Sequence, residues 1–250
     1  DVLVIDIAHG HSVVMAKALQ AFRAKFGDFE LVAGNVATAD GATYLAERGV
    51  NGIKVGIGPG GGCTTRLNTN FGVPQLHALV ECRLAVRNRI PLIADGGIKR
   101  DGAIIEALLF GGDTVMLGNA FAGTAETPGE TVHKSVVLPE SQKVVRVPFK
   151  VFRGMASAGA AAARRAVDGS VRDVIASGDQ TEFLPVVPEG VEAVVPLRGD
   201  AESVVAELVG GLRSGMSYSN ATTIPEMHER ARFVRITPGG LRESHPHDVA

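Results

Sequence analysis

The 250-residue sequence has no tryptophan, two tyrosines and only two cysteines, Cys63 and Cys82. So few thiols argue against a disulfide framework and fit a reducing cytoplasm. No apolar run reaches the roughly 18–20 residues needed to cross a bilayer, and no charged segment with an apolar core precedes a cleavage site. Neither sign of charge dominates, since Lys plus Arg number 25 against 27 Asp plus Glu, a formal net charge of −2. That balance removes the global electrostatic case for nucleic acid or an anionic membrane surface, so an anionic ligand must be held by local groups. Low-complexity tracts are also missing. What is present is ample apolar material, 45% of residues, enough for a sizeable globular core. The chain opens at Asp1 and runs straight into the strand-like Val2 to Ile7, which reads as a fragment.

Five β-branched runs, DVLVIDIAHG, ELVAGNVAT, GIKVGIG, PLIADGG and TVMLGN, read as strands. Between them Val13 to Phe26, Asp40 to Gly49, Pro74 to Arg89 and Asp101 to Gly111 carry apolar residues at helical spacing. Each strand run ends in Gly, Asn or Asp, residues that permit the tight turns where ligand-binding loops begin. Alternating βα units imply a parallel sheet, either open and doubly wound or closed as an eight-stranded barrel. Five strands cannot close such a barrel, so about three further βα units are expected before them. After Gly123 the period is lost, and Thr124 to Lys150 reads as an excursion containing a hairpin. Ala156 to Arg165 reads as a helix, and Ala166 to Pro188, with Gly169 and Gly178, as a mobile flap. Asp200 is placed to cap a helix running to Ser214. A further helix starts near Thr223 and Pro225, followed by a short strand at FVRI, 233–236, and a polar tail.

The loop Gly56 to Arg66 places Gly56, Gly58, Gly60, Gly61 and Gly62 before Cys63, so its backbone can approach a ligand closely. Gly56, Gly58 and Gly61 match a dinucleotide fingerprint in form, but Pro59 interrupts it and Thr64, Thr65, Arg66 and Asn68 open a helix poorly. The other reading is a presented thiol, made nucleophilic as thiolate by a neighbouring cation such as Arg66. Spacing alone leaves Cys63 either that nucleophile or a small buried hydrophobe. Cys82 lies on a predicted helix and reads as core. Asp6, His9 and His11 could form a metal site, although an Asp beside Gly at a strand end is commoner in turns.

The loop GIGPGGGCTTR, continued by GVPQL at 72–76, resembles the catalytic loop of the inosine monophosphate dehydrogenase and guanosine monophosphate reductase family. DIAHGHS at 6–12, GNVAT at 34–38, ADGGI at 94–98 and VMLGNAFAG at 115–123 resemble the family's strand ends in the same order. FRGMAS at 152–157 resembles its segment before the flap, and EGVEAVVPLRG at 189–199 and GLRESHPHD at 240–248 resemble the bacterial dehydrogenase. The resemblance implies a (β/α)8 TIM barrel, with this chain supplying roughly the last five units, the hairpin at 124–150, the flap at 158–188 and a cation-binding tail at 240–250. It implies a purine mononucleotide substrate, NAD or NADPH, potassium and a cytoplasmic homotetramer. Cys63 would attack carbon 2 of the purine and Thr65 would position water or ammonia. Asp95 would bind the ribose, and Gly61, Gly97, Gly118, Asn119, Phe152 and Gly154 would line the phosphate side. Met155 and Glu189 would meet the base, with Asp6 and Asn35 on the cofactor side. The carbonyls of Gly58, Gly60 and Cys63 would coordinate the monovalent cation together with a neighbouring subunit's copies of Glu243, Ser244 and His245.

The chain also departs from the family pattern. The dehydrogenase flap carries an Arg-Tyr pair, yet no such pair occurs in 158–188, where Arg164, Arg165 and Arg172 are the substitutes. The reductase carries a glutamate where Ala158 stands. Gly61 and Asn119 replace serines, and Phe152 a tyrosine, at the phosphate. Two or three lost hydrogen bonds at about 0.5–1.5 kcal/mol each weaken nucleotide binding about tenfold or more unless other donors replace them. Dehydrogenase ranks first, reductase second and a nucleotide-binding protein without turnover third.

Overall fold

The computed structural model describes residues 1–98, 102–137, 141–168 and 187–246. Strands β1 (Leu3–Asp6), β2 (Leu31–Val36), β3 (Gly52–Val55), β4 (Leu92–Asp95) and β5 (Thr114–Met116) form one sheet in that order, every pair parallel. A sheet whose spatial order equals its chain order has no switch point, the mark of a barrel arc rather than a doubly wound sheet. Helices α1 (Val13–Phe26), α2 (Ala39–Ala46), α3 (Thr65–Thr69), α4 (Gln75–Val86) and α5 (Gly102–Leu109) connect the strands. These are successive units of a (β/α)8 barrel. All four residues of β3 are buried, whereas the outer strands β1 and β5, each paired on one side only, are more exposed.

Local chemistry explains where the helices begin. Ser12 Oγ accepts from Met15 N–H at 3.2 Å and Thr38 Oγ1 from Gly41 N–H at 3.1 Å, each satisfying an N-terminal donor of its helix. The core lies between the arc and its helices, where Met15, Leu31, Leu45, Ile53, Leu79 and Leu92 are fully buried.

Beyond β5 and the short helix α6 (Asn119–Ala122), the predicted hairpin appears as antiparallel β6 (Thr131–Val137) and β7 (Val144–Arg153). A third strand not foreseen from the sequence, β8 (Glu192–Pro196), pairs with β7 to complete an antiparallel ribbon. Helix α7 (Ala158–Asp168) follows β7. The remainder of the predicted flap, 169–186 with Gly169, Gly178 and Arg172, lies outside the described residues, as do the side chains of Arg164 and Arg165.

Asp200 caps α8 (Ala201–Tyr218) by accepting from Ser203 N–H at 2.7 Å, bonding that holds its carboxyl below the usual range. Thr223 caps α9 (Ile224–Arg230). The expected strand at FVRI does not form. Phe233 stacks on Phe110 at 4.6 Å, which anchors the segment among the outer helices, and Val234 is 81% exposed. Part of the polar tail is ordered as α10 (Pro238–Glu243), capped by Thr237.

Candidate active site

The site forms where three segments meet at the C-terminal ends of the parallel strands. Loop 56–66 leaves β3, segment 152–157 leaves β7, and segment 187–191 leads into β8. Cys63 makes an isolated antiparallel bridge with Gly190. Thr64 N–H donates to Glu189 O at 2.8 Å, Val191 N–H to Gly62 O at 2.9 Å, and Asn68 Nδ2 to Pro188 O at 2.7 Å. Gly154 N–H donates to Val191 O at 2.9 Å and Glu189 N–H to Ala156 O at 3.0 Å, which fastens the third segment to the second. The ring of Phe152 lies against Gly62, where an added Cβ would approach its Cε1 to 2.7 Å. Glycine is what lets that aromatic face reach the loop.

These contacts bring together residues about 125 positions apart in the chain and generate one hydrogen-bonded line. The Cys63 thiol donates to Thr65 Oγ1 at 3.2 Å, and Thr65 Oγ1 donates to Glu189 Oε2 at 2.6 Å. Such a line can pass a proton from sulfur to carboxylate as the sulfur becomes a nucleophile. Cys63 is half-buried. Cys82 is the opposite case: it is 0% exposed on α4, and burial, aided by the charge of Glu81, pushes its thiol up to about 12. It stays a neutral core residue.

The cation expected beside the thiol is not Arg66. Its guanidinium turns away and donates to the carbonyls of Ile57, at 3.2 Å, and of Val73. The reason is space: Gly58 (φ +84°) and Gly72 (φ +144°) leave room for the arginine stem, so Arg66 clamps the two ends of the loop. The poor helix opening nevertheless yields one short helix, α3, closed by Asn70 in the left-handed region.

A second cluster occupies the ends of β1 to β4. Lys54 is 2% exposed, pairs with Asp6 Oδ1 at 3.2 Å and also contacts Asp95 Oδ2. Asn35 Nδ2 donates to Asp95 Oδ2 at 2.9 Å and to Gly56 O at 2.7 Å, while Asn35 Oδ1 is buried with no protein donor among the described residues. Asp6, Asn35 and Asp95, singled out from sequence, therefore belong to one network. Lys54 was missed, although a lone lysine inside the apolar run GIKVGIG was the available signal. Asp6, His9 and His11 do not assemble as a metal site: His11 stacks on Tyr44 at 4.5 Å, and no group of three His, Cys, Asp or Glu among the described residues could hold a metal ion.

Gly97 follows β4 with φ +82°, wedged against Gln75 and Pro59, and Gly96 N–H reaches Met116 O at 3.4 Å, which brings the β4 and β5 ends together. Gly118 and Asn119 open α6 beside them and are exposed. Gly61 is exposed with nothing within 4 Å of where its Cβ would stand. Met155 is 77% exposed at the mouth. Gly60 O accepts from Cys63 N–H at 3.0 Å, so one of the three expected cation-binding carbonyls also closes the loop's own turn. The bonds of Ser244 and His245 are local, to Gly240 O and Arg242 O, and join neither residue to that loop within the chain.

A thiol presented by a glycine-rich loop, backed by a hydroxyl and a carboxylate at the strand ends, defines a barrel protein equipped for nucleophilic work. The family model described as "IMP dehydrogenase / GMP reductase domain" matches residues 1–247, and the chain belongs to that family of oxidoreductases. Inosine-5'-monophosphate dehydrogenase of Aquifex aeolicus is 46% identical over 250 residues, covering 100% of this chain and 47% of that protein. GMP reductase of Leishmania donovani is 44% identical over 254 residues, covering 100% of this chain and 48% of that protein. A crystal structure of a cysteine-to-alanine variant of GMP reductase from Trypanosoma brucei, in complex with guanosine 5'-monophosphate, matches with a TM-score of 0.83 at 43% identity, covering 100% and 48% of the two chains. The chain spans about half the length of the curated relatives it matches.

Proposed function

We propose that the protein oxidises inosine monophosphate to xanthosine monophosphate with NAD, through a covalent adduct on Cys63. The observation that carries this reading is the Cys63–Thr65–Glu189 line of hydrogen bonds. Sulfur bonds to carbon 2 of the purine while the thiol proton passes through Thr65 to Glu189. When bound, NAD would supply the two-electron acceptor for the hydrogen on carbon 2. Once that first proton has left to solvent, water attacks carbon 2 and gives one proton to the Thr65–Glu189 pair, and the carbon–sulfur bond breaks as the leaving thiolate takes that proton back to restore the thiol. General-base assistance of this kind contributes about 10²–10⁴-fold.

The ribose hydroxyls fall to Asp95, and the phosphate to Gly61, Gly97, Gly118, Asn119 and the Phe152–Gly154 segment. Met155 covers the base, and Glu189 is shared between base and Thr65. The orphaned acceptor Asn35 Oδ1 and the half-exposed Asp6 fit the hydroxyl and amide donors of a nicotinamide ribose. Potassium would rest on the carbonyls of Gly58, Gly60 and Cys63 and on Glu243, Ser244 and His245 of a neighbouring copy in a cytoplasmic homotetramer.

One observation favours the reductase: no Arg-Tyr pair occurs in 158–188. In that reading the Thr65–Glu189 pair delivers a proton to departing ammonia, and NADPH returns hydride to carbon 2.

The test follows reduced-nicotinamide absorbance with full-length protein in potassium buffer. A rise with inosine monophosphate plus NAD is the expected result, and a fall only with guanosine monophosphate plus NADPH assigns the reductase. Silence in both mixtures leaves a binding protein and overturns the proposal. Replacing Cys63 by Ala is expected to remove turnover while sparing noncovalent nucleotide binding; turnover retained in C63A would mean that Cys63 is not the nucleophile.

A further inference from the structure

Among the fully buried side chains of the described residues Lys54 is the largest, in a strand otherwise made of Gly, Ile and Val. An ammonium this deep is retained only where it is paired. The fold makes room for its stem: Gly34 stands opposite in the β2–β3 register, and a Cβ there would lie 2.5 Å from Lys54 Cβ. The ammonium ends on two carboxylates, Asp6 on β1 and Asp95 on β4, whose side chains are 55% and 24% exposed. Both anions open toward the rim, whereas the cation joining them is almost wholly covered.

We propose that Lys54 is a positioning residue that couples the two ligand subsites, holding the nucleotide-side Asp95 and the cofactor-side Asp6 on one ammonium. The proposal rests on the assignment of those two carboxylates made above. Asp95 Oδ2 is held by Lys54 and Asn35, and under that assignment its other oxygen takes the ribose. Without the ammonium the two carboxylates would repel each other across a poorly solvated gap, and Asp95 would lose the orientation that ribose hydroxyls need.

That mechanism predicts suppression at a distance, which a purely packing role for lysine does not. In the full-length protein Lys54→Met is expected to weaken binding of inosine monophosphate, measured without cofactor, about tenfold or more. Adding Asp6→Asn removes the opposing charge and is expected to restore affinity at least about threefold, although Asp6 is assigned to the cofactor side. Lys54→Met that binds the nucleotide as the parent does, or a folded K54M/D6N protein with no recovery, overturns the proposal. If Lys54→Met alone does not fold, a folded and nucleotide-binding K54M/D6N protein supports it, and a double variant that also fails to fold assigns lysine to packing and overturns it. Asp95→Ala separates the two levels. Nucleotide affinity unchanged in that variant removes the ribose assignment itself, whereas affinity lost there but intact in Lys54→Met removes only the role of Lys54.

Discussion

The parallel arc and the antiparallel ribbon are built on different terms. In the arc β3 is buried at every position and a whole layer of aliphatic side chains is excluded from water, whereas in the ribbon Val137 and Val144 are 52% and 65% exposed. The arc supplies a rigid frame that holds the loop of Cys63. The ribbon supplies reach, since β8 and the segment before it bring Glu189 to that loop. The proposed chemistry sits at the seam between them, where Cys63 and Thr65 on one part meet Glu189 on the other.

The contrast can be broken first at its energetic root. Leu79→Ala, in the fully buried layer, is expected to lower unfolding free energy by about 2–5 kcal/mol, whereas Val136→Ala, half-buried on β6, is expected to cost under about 1 kcal/mol. Urea denaturation of the two variants decides it, and equal losses would mean that the ribbon is as integral to the core as the arc. The seam itself is broken by Glu189→Gln, which keeps shape but removes the proton acceptor of Thr65. We expect kcat to fall about a hundredfold in the nicotinamide assay; an unchanged kcat would leave the Cys63–Thr65–Glu189 line without a catalytic role. The smallest effect sharpens the picture. Gly61 has open space around it, so Gly61→Ser is expected to fold normally and to tighten nucleotide binding about two- to tenfold by adding one hydrogen bond. Calorimetric titration that shows weaker binding would place the phosphate elsewhere.

Much of the arc was readable before folding. The strand runs and the helix Val13–Phe26 appear where periodicity and turn residues put them, and Asp200 caps its helix as read, because each is written in local sequence. The loop of Cys63 was readable as backbone open to close approach, but spacing alone left Cys63 either a nucleophile or a buried hydrophobe, and the family resemblance chose the nucleophile. The ribbon was half legible: its hairpin was foreseen, but β8 was not, because a five-residue run gains its partner only from a strand some 40 residues earlier. The FVRI run failed in the opposite sense, a strand-like pattern whose Phe233 packs on Phe110 instead of pairing in a sheet. Arg66 was assigned by nearness in sequence to a thiol that it does not face.

The sequence by itself determined the order of the βα units, the cap at Asp200 and the glycine-rich loop that carries Cys63, because these depend on side-chain size, backbone freedom and spacing over a few residues. Only the tertiary structure decided what the thiol talks to and how the carboxylates are held. The pairing of Thr65 with Glu189 spans 124 positions, and the binding of Lys54 to Asp6 and Asp95 spans three strands. Hydrogen bonds and ion pairs act over a few ångströms, so such partners exist only once the sheet has brought their strands together.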